Sequence, residues 1–357
     1  MKIALLNLTL DSNYGGNLQR YALIKVLQDM GHEVTHLQMH YINHVSLLGK
    51  CKWYIKRFAK KILIDHDTVL SWKQNQLDVD TRRCQIAKPF YNKYIPHTKE
   101  IRSKEELRAY IDYDAFVVGS DQVWRPRMAK SFGVSTYFFD FLPDDYQGKR
   151  IAYGVSMGVG ENEFSETLIA ELGTLYRKFD AVSVREQSAL NLLQNFGWTT
   201  PTAQKVLDPT LLLRKEDYEK IIDESETKPS EGNMFCYILD STQEKMMEIE
   251  KIACEKDLKP YYQIGCSATD AMSIPQWLRS FRDSDFIYTD SYHGFVFSLI
   301  FQKSAKVVYN NKRGNTRFES LTKELHLNLD DIQLNWNMTE KLIMEFRQQS
   351  LNYLKHI

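Results

Sequence analysis

The chain has 357 residues, and 46 basic side chains balance 46 acidic ones to a formal net charge of zero. That length exceeds what one hydrophobic core fills and points to two domains, while 43% hydrophobic and 12% aromatic residues exclude a disordered chain. Zero net charge excludes a chain-wide electrostatic footprint for nucleic acid.

Residues 2–8 read as a buried first strand, because one lysine and a short apolar stretch make a poor signal peptide. A helix is expected over 18–30 and a strand over 34–37. Residues 42–100 then interrupt the alternation as a helical insert. Within it, a helix over 50–63 places Cys51, Tyr54, Ile55, Phe58 and Ile62 on one face and Lys50, Lys52, Lys56, Arg57, Lys60 and Lys61 on the other. Such a helix either packs its apolar face on its own domain, the commoner arrangement, or lies on an anionic membrane. Strands follow at 115–118, 151–155 and 181–184, with helices at 165–179 and 188–195.

The polar segment 223–232, with Pro229 and Gly232, reads as a linker. Beyond it come strands at 234–239, 261–264, 286–289 and 305–309, and helices at 243–256, 274–282, 294–301 and 339–354. Apolar strands alternating with helices predict an α/β chain whose sheets are covered on both faces. The expected organisation is an N-terminal Rossmann-like domain (1–225), a C-terminal one (226–335), and a final helix (336–357) packing back on the first. No apolar run reaches the ~20 residues of a membrane span. Five cysteines (51, 84, 236, 254 and 266) without a CxxC argue for a reducing, cytoplasmic setting.

No P-loop, GxGxxG, HExxH, GxSxG or EF-hand pattern occurs. Histidines 32, 36, 40 and 44 recur every four residues, but the strand at 34–37 separates them, and no metal is expected.

Ligands of doubly wound sheets bind beyond the carboxyl ends of the strands. After the first strand, Asn13-Tyr14-Gly15-Gly16-Asn17 offers close backbone approach and a helix start, or equally a tight turn capped by Asn17. Gly119-Ser120-Asp121-Gln122-Val123-Trp124-Arg125 is a polar cluster at a strand end. The strand at 151–155 runs into Ser156. Arg185, at the end of another strand, suits either an anion clamp or a structural ion pair. The sharpest loop is Thr289-Asp290-Ser291-Tyr292-His293-Gly294: it opens a very apolar helix, with Ser291 as cap and His293 at the cleft. Lys312, Arg313 and Arg317 surround Gly314, and of these Arg317, beside Phe318, is the best candidate for an ordered side chain. A cleft presenting His293, Arg185 and Arg317 fits a small, doubly anionic substrate.

The motifs Asn13–Leu23, Gly119–Trp124, 153–158, 183–186, 206–210, 289–294 and 317–321, taken in order, resemble the polysaccharide pyruvyl transferase family over residues 1 to about 325. Tyr292 stands where the family pattern leads one to expect phenylalanine. The resemblance implies two Rossmann-like domains facing a cleft, similar to the glycosyltransferase B architecture. It also implies transfer of the pyruvyl unit of phosphoenolpyruvate onto two hydroxyls of one sugar, with no metal or nucleotide cofactor.

On this basis His293 and Arg185 are the expected catalytic pair, His293 as acid–base and Arg185 as the clamp on phosphate or carboxylate. Asn13, Gly15, Gly16, Asn17, Asp121, Ser156, Ser291, Tyr292, Gly294 and Arg317 are the expected substrate-binding residues. The partners expected are phosphoenolpyruvate and a glycan or lipid-linked oligosaccharide, with no nucleic acid; the basic helix leaves peripheral contact with the cytoplasmic membrane face open. A glycosyltransferase using a nucleotide sugar is the alternative, and a non-enzymatic glycan-binding protein a third.

Overall fold

A computed structural model describes residues 1–41, 45–64, 66, 70–265, 271–310, 315–327 and 336–355. His44, Cys266, Lys312 and Arg313 lie outside the described residues.

The first half is a six-stranded parallel sheet in the order β2-β1-β3-β4-β5-β6. Its strands are β1 (Lys2–Leu6), β2 (Glu33–His36), β3 (Ala115–Val118), β4 (Lys149–Val155), β5 (Ala181–Val184) and β6 (Gln204–Lys205). Successive side chains of a strand point to opposite faces, and both faces here are apolar. Ile3, Leu5, Val117 and Ile151 enter one core, whereas Ala4, Leu6, Phe116, Val118 and Ala152 enter another. Helices α1 (Tyr14–Asp29), α6 (Glu166–Tyr176) and α7 (Gln187–Asn195) accompany this sheet. The insert contributes α2 (Leu47–Leu63), α3 (Trp72–Cys84) and α4 (Ala87–Tyr94), followed by the short α5 (Lys104–Leu107).

The second half is a four-stranded parallel sheet in the order β10-β9-β7-β8, built from β7 (Met234–Ile238), β8 (Pro260–Ile264), β9 (Phe286–Thr289) and β10 (Ser304–Val307). Its helices are α9 (Gln243–Lys256), α10 (Ile274–Asp283), α11 (Tyr292–Ile300) and α12 (Thr316–Glu324). Helix α8 (Lys215–Asp223) precedes the polar segment yet packs toward this half, with Tyr218 edge-on to Phe297 at 5.0 Å between ring centres. The last helix, α13 (Trp336–Lys355), returns to the first half: Tyr353 donates to the Ala152 carbonyl at 3.0 Å and Arg347 to that of Leu211 at 2.7 Å.

Two all-parallel sheets flanked by helices are the two Rossmann-like units expected. They share a core, since Phe235, Tyr237, Trp277, Ile287 and Phe297 belong to the same buried cluster as Ile3, Leu5 and Leu18. The join is aromatic. Tyr14 at the start of α1 stacks on Trp277 of α10 at 5.0 Å and 5° between planes, and its hydroxyl donates to the Met272 carbonyl at 2.7 Å.

Two expectations change here. Helix α1 starts at Tyr14, not residue 18: Asn13, not Asn17, is its cap, and its side chain accepts from Gly16 N–H at 3.3 Å. The apolar face of α2 does not pack on its own domain, and none of that helix's residues is buried. Strand β6 escaped notice because two residues carry no period.

Trp277 is fully buried at the join. Trp277→Ala is therefore expected to cost about 3–5 kcal/mol, seen as a lower urea midpoint of one shared unfolding transition. An unchanged midpoint would show that the aromatic join is dispensable.

Candidate active site

The carboxyl ends of the strands meet at a cavity of about 360 Å³, in the size range of small-molecule sites. From the first half it is lined by Asn13, Asp121, Gln122, Arg125, Arg127 and Met128. Tyr237, Leu239, Asp240, Asp290, Ser291, Tyr292, His293, Arg317 and Phe318 come from the second.

Behind this cavity lies a buried charge cluster. Arg185 follows β5 with a side chain wholly shielded from solvent, and it donates to Asp208 Oδ2 at 2.7 Å and to Asp121 Oδ1 at 2.9 Å. Glu186 Oε2 stands 3.6 Å from its Nε. The carboxylates have further donors. Asp208 accepts from Thr210 N–H at 3.1 Å, from Thr210 Oγ1 at 2.7 Å and from Gln19 Nε2. Glu186 Oε1 accepts from Ser156 Oγ at 2.7 Å and Met157 N–H at 3.1 Å. Burial opposes ionisation of Asp208, but the His293 imidazole, the Arg185 guanidinium and the Thr210 donors outweigh it and hold the carboxyl well below the usual carboxylate range. Burial likewise works against the Asp121 charge, and Arg185, Arg317 and His293 together bring its pKa below the ordinary value. Asp121 holds a left-handed backbone (φ 71°), which aspartate tolerates better than most residues.

His293 sits in the first turn of α11 with Nε2 at 3.7 Å from Asp208 Oδ2, too far for a hydrogen bond. Its Nε2 is buried and has no hydrogen-bond partner among the described residues. The imidazole packs on the backbone of Gly15, where a Cβ would fall 1.9 Å from Nδ1 and 2.1 Å from Cγ. Glycine is required there because the ring occupies the space of a side chain. Gly16 differs: its nearest neighbours would lie 3.8 Å from a Cβ.

Arg317, in the first turn of α12, is a cavity cation without a direct partner, with Asp121 and Glu186 acting on its charge from farther off. Among the described residues it makes no hydrogen bond or ion pair, and its Nε is buried and unmet. Burial and the positive charge of Arg185 both press against its ionisation. Its guanidinium lies 5.2 Å from the centre of the Tyr292 ring, and that of Arg185 lies 5.5 Å from it. Ser291 occupies the N-cap position of α11 but makes no capping bond with its side chain. Its hydroxyl and the free N–H groups of the helix start are thus available to an anion beside Arg317. Arg127 is exposed at the rim. Arg125 is already committed, to Glu163 at 2.8 and 2.6 Å and to Gln122 at 2.9 Å.

Six of the expected site residues, Asn13, Asp121, Ser291, Tyr292, His293 and Arg317, line one cavity. The others act behind it. Arg185 is not a clamp open to substrate: both terminal nitrogens are held by protein carboxylates, so the ion-pair reading prevails. Ser156 is spent on Glu186. Asn17 ties the loop, donating to the Asp11 and Asn13 carbonyls at 2.8 Å and accepting from Arg20 at 2.8 Å. Gly15 and Gly294 provide clearance, Gly294 against Thr289 Oγ1, which a Cβ would approach to 2.1 Å. Three carboxylates at or behind the cavity, Asp208, Asp240 and Asp290, are not among the expected site residues. Asp208 sits in the 206–210 motif and faces His293. Asp240 lines the cavity. Asp290 fastens the second sheet, accepting from Leu239 N–H at 2.6 Å, Lys245 Nζ at 2.6 Å and Asn310 Nδ2 at 3.1 Å. Asp208 and Asp290 stand in loops that follow strands, which was the available signal; Asp240 follows the strand at 234–239 with no motif around it. His36 and His40 use their rings on Tyr91 at 2.6 Å and Glu100 at 2.9 Å, respectively.

A family model described as polysaccharide pyruvyl transferase matches residues 13–312, and the chain belongs to that family. No curated protein sequence matches it. Among solved structures, it is similar to a putative UDP-N-acetylglucosamine 2-epimerase from Listeria monocytogenes, with 11% identity, TM-score 0.51, and coverage of 99% of this chain and 90% of the other. It is also similar to the S. aureus MnaA–UDP co-structure, with 12% identity, TM-score 0.50, and coverage of 99% and 90%. These likenesses are of fold: two Rossmann-like sheets in the glycosyltransferase B arrangement.

Two outcomes test this geometry. Gly15→Ala should destabilise by about 1–3 kcal/mol through overpacking and shift the His293 ring resonances, whereas Gly16→Ala should be neutral or stabilising by up to ~1 kcal/mol; equal effects would contradict the packing described. Arg185→Met should cost about 3–5 kcal/mol at neutral pH, because it strands buried carboxylates. With Asp208 and Asp121 depressed in the native protein, the stability they confer is present at neutral pH and lost on acidification. The variant lacks the guanidinium that both carboxylates contact, so its deficit should narrow as pH falls below about 4. A deficit constant with pH in chemical denaturation would refute this.

Proposed function

We propose that this member of the polysaccharide pyruvyl transferase family moves the pyruvyl group of phosphoenolpyruvate onto two hydroxyls of one sugar. The product is a cyclic ketal on an exopolysaccharide or cell-surface glycan, and the by-product is phosphate. One observation carries the reading: a guanidinium without a direct partner, Arg317, shares a cavity with a buried histidine whose Nε2 is unbonded and with an anion-ready helix start.

Phosphoenolpyruvate bears a carboxylate and a phosphate. Arg317, Ser291 and the first N–H groups of α11 form the anion-binding wall, with Arg127 at the rim. His293 gives a proton to the methylene carbon, which becomes the methyl group and leaves an oxocarbenium-like centre. One sugar hydroxyl adds to that centre and loses its proton; phosphate departs; the second hydroxyl closes the ring and loses its proton. Two protons leave the sugar, one ends in the methyl group and one on phosphate. Asp208 faces His293 and steadies the imidazolium between these transfers. Arg185 fixes Asp208 and Asp121 and is a positioning residue. Asp121 and Asp240 stand on the cavity wall where acceptor hydroxyls need acceptors for their protons. The scheme needs no cofactor beyond the donor. The reaction belongs in the cytoplasm, a reading supported by five cysteines with no CxxC pair in the sequence.

Phosphate release from phosphoenolpyruvate, screened against a panel of glycan acceptors, tests the proposal. Turnover should fall about 10²–10⁴-fold in His293→Gln while the circular dichroism spectrum stays native. Full turnover in that variant would remove His293 from the chemistry. Release of UDP from a nucleotide sugar, with phosphoenolpyruvate untouched, would replace the proposal with a glycosyltransferase.

A further inference from the structure

Helix α2 is amphipathic in the reverse of the usual sense. The side turned toward the protein carries Trp53, whose ring meets Trp72 at 5.1 Å; Arg57, which donates to Asn75 at 2.8 Å; and Lys50, 5.8 Å from the Trp72 ring. The opposite side is apolar and open: Leu48 is 76% exposed, Ile55 70%, Phe58 56% and Ile62 55%. A surface helix normally buries that stripe. At 100° per residue, Lys52 and Lys56 flank it on one edge and Lys61 on the other. The helix contains six cations and no acid, and no helix among the described residues is long and apolar enough to cross a membrane.

We infer that α2 is an interfacial helix that docks the protein on an anionic lipid surface, Leu48, Ile55, Phe58 and Ile62 entering the acyl boundary and the flanking lysines meeting the headgroups. Charge selects this occupant. Two copies of α2 packed stripe to stripe would bring the flanking Lys52, Lys56 and Lys61 of each together, whereas an anionic bilayer neutralises them and takes up the apolar stripe together. The insert also holds the loop that leads to the cavity: Ser12 donates to the Arg83 carbonyl at 2.5 Å and the Cys84 thiol to that of Leu10 at 3.4 Å, at the far end of α3 from Trp72. Asn13 of the cavity wall follows directly. If the glycan-acceptor reading holds, a lipid-linked acceptor in the same surface would be held beside the cleft.

Co-sedimentation of the full chain with vesicles of equal parts phosphatidylglycerol and phosphatidylcholine tests the docking without reference to turnover, so its failure and that of the proposed reaction are separable. Binding should be strong at low salt, weak on pure phosphatidylcholine, and roughly 100-fold weaker in the triple variant Ile55→Ser, Phe58→Ser, Ile62→Ser. Those positions are exposed, so the variant should keep the native thermal midpoint. Reversal of the charges at Lys52, Lys56 and Lys61 to Glu should also abolish binding. Absence of binding by the native protein, or unchanged binding in the apolar variant, would overturn the inference. So would a dimer that dissociates in the apolar variant while vesicles are ignored.

Discussion

The burial of Arg185 among Asp208, Asp121 and Glu186 is the constraint around which the site is built. A guanidinium removed from water is tolerable only with close carboxylates, and each buried carboxylate needs donors of its own. The chain meets both demands from separate segments: Gln19 on α1, Ser156 after β4, Arg185 and Glu186 after β5, and Thr210 beside Asp208. That network fixes the carboxyl end of the first sheet. It also sets Asp208 opposite His293 at 3.7 Å, across the boundary between the two halves. The three carboxylates outnumber Arg185, and the Arg317 guanidinium and the His293 ring approach them from the second half. Chemistry and cohesion therefore depend on the same charges.

The second half contributes reach. Asp290 ties the ends of β7 and β10 to the start of α11, so that Ser291, Tyr292 and His293 project from a rigid turn. Tyr14 stacked on Trp277, and His293 lodged on Gly15, then hold the two sheets at a defined separation. The result is a cavity in which Arg317 and the start of α11 come from the second half and the Arg185-held Asp121 from the first.

Much of this was legible in the sequence because parallel strands buried on both faces are nearly continuous apolar runs, and the chemistry sits directly after them. The strands Ala115–Val118, Ala181–Val184 and Phe286–Thr289 were readable to the residue. Partner choice was not. Arg185 reads equally as clamp or ion pair until Asp121, 64 residues away, and Asp208, 23 away, are seen to hold it. Asn13 and Asn17 are both adequate caps, and the choice of Asn13 shows only once Tyr14 is seen to stack on Trp277 and Gly15 to receive the His293 ring. The insert was legible as an amphipathic helix, but its orientation depends on Trp53 meeting Trp72, a contact invisible to helical periodicity.

The most direct measurement is titration calorimetry of the native protein and of Arg317→Ala with phosphoenolpyruvate, with inorganic phosphate as competitor. Saturable binding by the native protein, relieved by phosphate and lost in the variant, is expected of a cavity in which Arg317 is the buried cation without a direct partner among the described residues. Binding of equal strength in Arg317→Ala, or none in either protein with acceptor glycan present, would contradict the assignment of this cavity as the donor site.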